Sequence, residues 1–264
     1  MRFLIFGDVV GQPGRAAVTQ ALPDLKREYE PDSVIINIEN IAHGVGISPS
    51  SVAEALAWQA DVYTTGDHAW DNKAGTPLLN DPKLPIIRPA NYPAGVAGRG
   101  YHLFTKGATT VAVINLQGQV FFKNHPHNPF HTIDTLLKQS DIAAANIVLI
   151  DFHAEATSEK RALAWHTDGR VSAIWGTHTH VPTADAQVFP KGLGYISDVG
   201  MNGNYHSIIG VDPSGPLKSF LTQTNASFTL DNAGPLEVGA LLLEIDPSKH
   251  TTTTIAHIRK IINA

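Results

Sequence analysis

Five short apolar runs in this chain each end on a residue able to hold a metal ion. Phe3 to Phe6 leads to Gly7-Asp8, Val34 to Ile38 leads to Glu39-Asn40, and Val62 to Thr65 leads to Gly66-Asp67-His68. Ile147 to Ile150 leads to Asp151-Phe152-His153, and Val171 to Trp175 leads to Gly176-Thr177-His178-Thr179-His180. Each alone has an ordinary explanation. Gly-Asp is common in turns, and a lone histidine is more often a satisfied core or loop residue than a ligand. His178-Thr179-His180 is more pointed, because alternate residues of an extended segment face the same way and can hold neighbouring ions. In open α/β sheets, ligands bind beyond the carboxyl ends of the strands. If the five runs are parallel neighbours, their tips converge on one spot.

Oxygen and imidazole donors without thiolate suit iron, manganese or zinc better than calcium. The chain contains no cysteine, which excludes disulfides, zinc–thiolate sites and cysteine nucleophiles. Hydrolysis by a metal pair needs cations about 3.5–4 Å apart, and so a carboxylate that bridges them. Glu39, at the second tip with Asn40 beside it, is the candidate bridge. Such ions lower the pKa of a bound water and neutralise charge building on a phosphoryl group. The chemistry indicated is phosphoester hydrolysis.

The elements that must position these residues follow from periodicity. Phe3 to Phe6 and Val34 to Ile38 read as strands buried on both faces. Between them, Ala17, Val18, Ala21, Leu22 and Leu25 fall at helical spacing. Gly11-Gln12-Pro13-Gly14-Arg15 reads as a tight turn with proline near the helix start. A second helix starts near Ser48-Pro49, with Ser51-Val52-Ala53-Glu54 resembling a capping box, and Val62 to Thr65 is a third strand. This β-α-β-α-β order predicts parallel strands with helical crossovers. Ile86 to Arg88, Tyr101 to Phe104 and Thr109 to Ile114 read as strands, and Asn115 to His131 as a loop. Helices are expected over Thr132 to Lys138 and Ser158 to His166. Val238 to Ile245 and Thr251 to Ile258 predict an antiparallel ending. The four tryptophans read as core, and His125, His127 and His131 as a solvated loop; His43 is placed to line the cleft.

The chain has 264 residues, 43% of them apolar, and no linker, repeat or low-complexity segment. One domain over residues 1–264 is the economical reading. Net charge is −5 with no basic cluster, so a long nucleic acid is not an expected partner. A small phosphorylated substrate remains compatible, since bound cations would supply the positive charge. Nothing reads as a signal peptide or membrane span, and the cytoplasm is the expected compartment. The oligomeric state is open, a homo-oligomer included.

Together, Gly7-Asp8, Glu39-Asn40, Gly66-Asp67-His68-Ala69-Trp70-Asp71, His153-Ala154-Glu155 and Gly176-Thr177-His178-Thr179-His180 resemble the calcineurin-like metallophosphoesterases. Gly7-Asp8-Val9-Val10-Gly11, the run from Asp151 to Lys160, and Asp198-Val199-Gly200-Met201 are similar to its YmdB-type bacterial branch, whose members hydrolyse cyclic nucleotides. The resemblance implies an αββα sandwich, with two mixed sheets flanked by helices. It implies two divalent or trivalent transition-metal ions, iron foremost, with manganese or zinc as alternatives. The first would take Asp8, Glu39, Asn40 and His180; the second Glu39, Asp67, His153 and His178; His68 would be the general acid. The implied substrate is a small-molecule cyclic nucleotide, most directly a 2′,3′-cyclic nucleotide opened to the nucleoside 3′-phosphate. Val10 stands where the wider superfamily has a histidine, as in the YmdB-type pattern. Asp67 departs from the family's Gly-Asn-His, adding a negative charge that should tighten cation binding and weaken attraction for an anionic diester. The rivals are a phosphomonoesterase or nuclease on the same metal pair, and a non-catalytic phosphate or cyclic-nucleotide sensor on the same fold.

Overall fold

Alternation along the first strand already divides the molecule into layers. In β1 (Arg2–Phe6), Phe3 and Ile5 enter one apolar cluster while Leu4 and Phe6 enter another. Successive side chains of a strand point to opposite faces, so a strand apolar throughout must be covered on both sides. The computed structural model describes residues 1–263, and these form two mixed sheets packed face to face.

The first sheet runs β2 (Asp8–Val9), β11 (Met201–Asn204), β12 (Leu236–Asp246), β1, β3 (Ser33–Asn37), β4 (Val62–Thr64), with β13 (Thr251–Ile262) along the other edge of β12. β1, β3 and β4 are parallel, and β12 is antiparallel to β1, β11 and β13. The second sheet runs β5 (Tyr101–Lys106), β6 (Thr109–Gln117), β7 (Ile147–His153), β8 (Ala173–Thr177), β10 (Gly194–Ile196), β9 (Gln187–Val188). Its central strands β6, β7, β8 and β10 are parallel. Phe3, Ile5, Ile35, Val113, Leu149, Trp175 and Leu241 fill the space between the sheets.

Helices α1 (Gly11–Tyr29), α2 (Pro49–Leu56) and α3 (Thr76–Leu79) cover the outer face of the first sheet through residues such as Val18, Leu25, Val52 and Leu79. Helices α4 (Pro129–Leu136), α5 (Ser140–Ala143) and α6 (Thr157–Thr167) cover the second through Ile133, Ile142 and Leu163. The result is the expected αββα sandwich. Helix α7 (Ser214–Thr222) lies outside this plan and buries only Pro216. No helix among the described residues is long and apolar enough to cross a membrane.

Several local expectations shift. The capping box of α2 is Ser48 with Ser51, not Ser51 with Glu54: Ser48 Oγ accepts from the Ser51 amide, and Ser51 Oγ from the Ser48 amide. Pro49 forces this, since it favours the first helical turn, and Glu54 instead pairs with Arg15. Ile86 makes a single bridge to Tyr63 rather than a strand. β6 continues to Gln117 and α4 begins at Pro129, which shortens the expected 115–131 loop. Trp58 and Trp175 are core, but Trp165 is 56% exposed.

Candidate metal centre

The five tips meet, contributed by both sheets. Asp8, Glu39 and Asp67 follow the parallel strands β1, β3 and β4 of one sheet; His153 ends β7 and His178 follows β8 of the other. Gly66 is required at this seam, because a Cβ there would lie 2.1 Å from Glu39 Oε2 and 2.4 Å from the His153 ring.

Glu39, Asp67, His153 and His178 each offer a ligand atom within 4.8 Å of the others. His153 Nε2 lies 3.0 Å from Asp67 Oδ1 and 3.1 Å from Glu39 Oε1. His178 Nδ1 is 3.2 Å from His153 Nε2 and 3.6 Å from Asp67 Oδ1. Asp8, Asn40 and His180 adjoin this group. Asn40 Nδ2 is 3.1 Å from both Glu39 Oε1 and His180 Nε2, and His180 Nε2 is 3.9 Å from Asp8 Oδ1. Asp8 Oδ1 and Asn40 Oδ1 are buried without a hydrogen-bond partner. Buried acceptors are ordinarily satisfied, and a cation would satisfy both.

The histidines are prepared for the same task. His153 Nδ1 pairs with Thr177 Oγ1 at 2.9 Å, and that hydroxyl donates to Asp151 Oδ1 at 2.7 Å. His178 Nε2 pairs with Glu155 Oε2 at 3.0 Å, and His180 Nδ1 with the Ile209 carbonyl at 2.8 Å. With the proton on each outward nitrogen, the inward nitrogen presents a lone pair, the arrangement that orients metal-binding imidazoles.

Charge is concentrated to match. Burial pushes the Asp8 carboxyl up to about 7, against the pull of His180 and His153. Burial would also raise Asp67, but its hydrogen bond to His153 and the surrounding imidazoles hold it below the usual carboxylate range. Burial opposes charge on His153, yet Glu39 and Asp67 carry it well above its ordinary value, while burial and His153 lower His178 to about 4. The site thus recruits positive charge between its acids.

His68 lies at the rim, 35% exposed at its side chain, with Nδ1 2.7 Å from Asp71 Oδ2 and Nε2 3.9 Å from Asp67 Oδ2. Burial lowers its pKa, but Glu39, Asp67 and Asp71 outweigh this and raise it. The expected extended backbone through the two distal histidines is not what forms. His178 and His180 have φ of 95° and 64°, so the segment turns. The two imidazoles therefore serve different partners, His178 beside His153 and His180 beside Asn40.

The chain has relatives along nearly its whole length. A model of the YmdB-like protein family matches residues 4–258. The chain belongs to that family. A 2′,3′-cyclic-nucleotide 2′-phosphodiesterase of Bacillus subtilis (strain 168) is 42% identical over 98% of this chain and 96% of its own. The crystal structure of a novel phosphatase from Mycoplasma pneumoniae superposes with a TM-score of 0.92 at 32% identity, over 100% of this chain and 94% of that one. A 5′-nucleotidase precursor from Thermus thermophilus shares the fold at a TM-score of 0.58 and 12% identity, over 100% of this chain and 54% of that one.

Within this YmdB-like chain, buried supporting residues surround the centre. Asp151, at a strand tip in the sequence, is no ligand: its carboxylate accepts from Thr64, Thr177 and Asn37 inside the core. Lys160 is buried, donating to the Thr177 carbonyl at 2.9 Å and to Asp198 Oδ2 at 2.8 Å. Asp198 also accepts from the Thr179 amide and hydroxyl. Both residues fall in the longer segments that resemble the family, and their part there is to hold the turn carrying His178 and His180. His125, His127 and His131 are all exposed, but only His125 and His127 lie in the expected loop; His131 sits on α4.

Proposed function

We propose that the chain is a metal-dependent phosphodiesterase that opens 2′,3′-cyclic nucleotides to nucleoside 3′-phosphates. The observation that carries this is the shared position of Glu39, between His153 on one side and Asn40 on the other. Asp8, Glu39, Asn40 and His180 would hold one ion, and Glu39, Asp67, His153 and His178 the second. The oxygen and imidazole set suits iron, manganese or zinc, and the family resemblance puts iron first. When bound, two such ions supply Lewis acidity toward the phosphodiester and activation of water.

The chain's own residues supply the rest. His68 Nε2 donates a proton to the ribose 2′-oxygen as its bond to phosphorus breaks, and the added water leaves the phosphate on the 3′-oxygen. Asp71 orients the ring through Nδ1, and the neighbouring carboxylates keep it protonated to a higher pH. Phe122, buried against His178 with ring centroids 4.7 Å apart, keeps water from that flank. The name of the Bacillus subtilis relative supports the substrate class.

The test combines metal content with hydrolysis of 2′,3′-cyclic AMP, with and without added Mn²⁺ or Fe²⁺. About two ions per chain and metal-dependent cleavage are expected. His68→Ala should lower turnover by about 10²–10⁴-fold with the metals retained. Absence of any bound transition metal would sink the centre, and unchanged turnover would remove His68 from the mechanism.

A further inference from the structure

Beside the metal centre lies a cavity of about 400 Å³, floored by Glu39, Asn40, His68, His178 and His180, within the size range of small-ligand sites. Its opposite wall is apolar and comes from a part of the chain outside the sandwich core, including Ile209, Phe220, Phe228 and Leu230. Phe220 is 71% exposed, Phe228 60% and Ile209 51%. Large apolar side chains gathered at one exposed place mark a binding surface.

This wall is fastened to the centre. Leu230 seats on Gly11, whose φ is +56° and where a Cβ would lie 2.1 Å from Leu230 Cδ1. Ile209 adopts φ of 48°, rare for a β-branched residue, and in that conformation its carbonyl holds His180. Among the described residues, the only carboxylate lining the cavity is Glu39, already placed with the metals; His43 and Thr229 also line it. Phe122 covers the His178 flank.

We propose that this cavity receives the nucleobase of the substrate. The inference rests on the phosphodiesterase reading: with the cyclic phosphate at Glu39, Asn40 and His180 and the 2′-oxygen at His68, the base enters the recess lined by those same residues. A planar base offers an apolar face to Phe220, Phe228 and Leu230, and such contacts are tolerant of base identity. Purines, with the larger face, should be preferred over pyrimidines by a few-fold.

The probe is 1,N6-ethenoadenosine 3′-phosphate, followed by its fluorescence on the metal-loaded protein, alongside kinetics with 2′,3′-cyclic AMP and with base-free 1-O-methylribose 2′,3′-cyclic phosphate. Phe220→Ala and Phe228→Ala should each weaken the probe by about tenfold. They should raise KM for cyclic AMP similarly, with kcat within about twofold and the base-free substrate unaffected. Leu221→Ala, at an 82% exposed position beside the wall, should match the unaltered protein. Equal probe affinity in all proteins, or equal losses on both substrates, overturns the proposal. So does a fall in sedimentation mass of the phenylalanine variants with probe affinity intact, which would assign the wall to contacts between copies. Probe binding that depends on Phe220 and Phe228, without hydrolysis, would leave the pocket standing and remove the phosphodiesterase reading.

Discussion

Replacing Lys160 by methionine isolates the device that fixes the two distal histidines. Lys160 and Asp198 are each 1% exposed, with Nζ 2.8 Å from Oδ2. The ammonium bonds the Thr177 carbonyl and the carboxylate binds Thr179, so the pair grips the chain on both sides of His178. Methionine keeps the apolar stem but leaves the Asp198 charge buried and uncompensated, a change that costs about 3–5 kcal/mol. Unfolding entropy of about 2.1 cal/mol/K per residue over 264 residues amounts to about 0.55 kcal/mol/K. The Tm should therefore fall by about 5–9 °C in calorimetry. Because the turn carries two proposed ligands, metal retention against a chelator should also weaken by about 10–100-fold, as for other supporting residues. Lys160→Met with Asp198→Asn removes the lone charge and should recover at least half of the lost Tm. A fall below about 2 °C with unchanged metal retention would refute the argument; so would a double variant less stable than the single.

Asp67→Asn should weaken metal retention and lower KM for 2′,3′-cyclic AMP, each by about tenfold, since one charge leaves a site that must attract both a cation and an anionic diester; a rise in KM would count against the charge argument. Asp71→Asn removes one of the charges that raise the His68 pKa. Activity needing protonated His68 is lost as pH rises through that pKa, so the alkaline limb of the kcat profile should move to lower pH; an unmoved limb would disconnect His68 from it. Ile209→Asn should raise the Tm by about 2 °C, because asparagine tolerates the left-handed conformation that costs a β-branched residue about 1–2 kcal/mol. A lower Tm would show that Ile209 packing outweighs its backbone.

The strand tips were legible because strands buried on both faces are unbroken apolar runs, so the first polar residue after each stands out. Phe3 to Phe6 before Asp8 and Ile147 to Ile150 before His153 are clear cases, and the αββα plan came from the motifs those tips form. Conformation at the tips was not legible. Positive φ at His178 and His180 leaves no mark on residue type, and the extended reading of that segment followed from spacing alone. The Lys160–Asp198 pair joins residues 38 apart in sequence, and burial of a lysine contradicts its usual habit. Helix α7 misleads in the other direction: Leu217, Phe220 and Leu221 have the composition of core residues but are exposed, because they lie beyond both helical layers.

The same geometry explains why so many ionisable groups can share one buried seam. Asp8 and Glu39 are wholly buried, and carboxylates in such surroundings either take up a proton or acquire a counter-charge. Asp8 follows the first course, its pKa pushed up toward neutrality, while Glu39 and Asp67 follow the second by charging His153. Divalent cations would satisfy both demands together, accepting the orphaned oxygens of Asp8 and Asn40 and releasing the His153 proton. Metal loading should therefore expel protons, and more of them at pH 6 than at pH 8, because Asp8 is more often protonated at the lower value. Titration of the protein with Mn²⁺ in two buffers of different ionisation enthalpy measures that number directly. Equal binding enthalpies in both buffers at pH 6 would mean that no proton leaves, and that the charge balance derived from Asp8 and His153 is wrong.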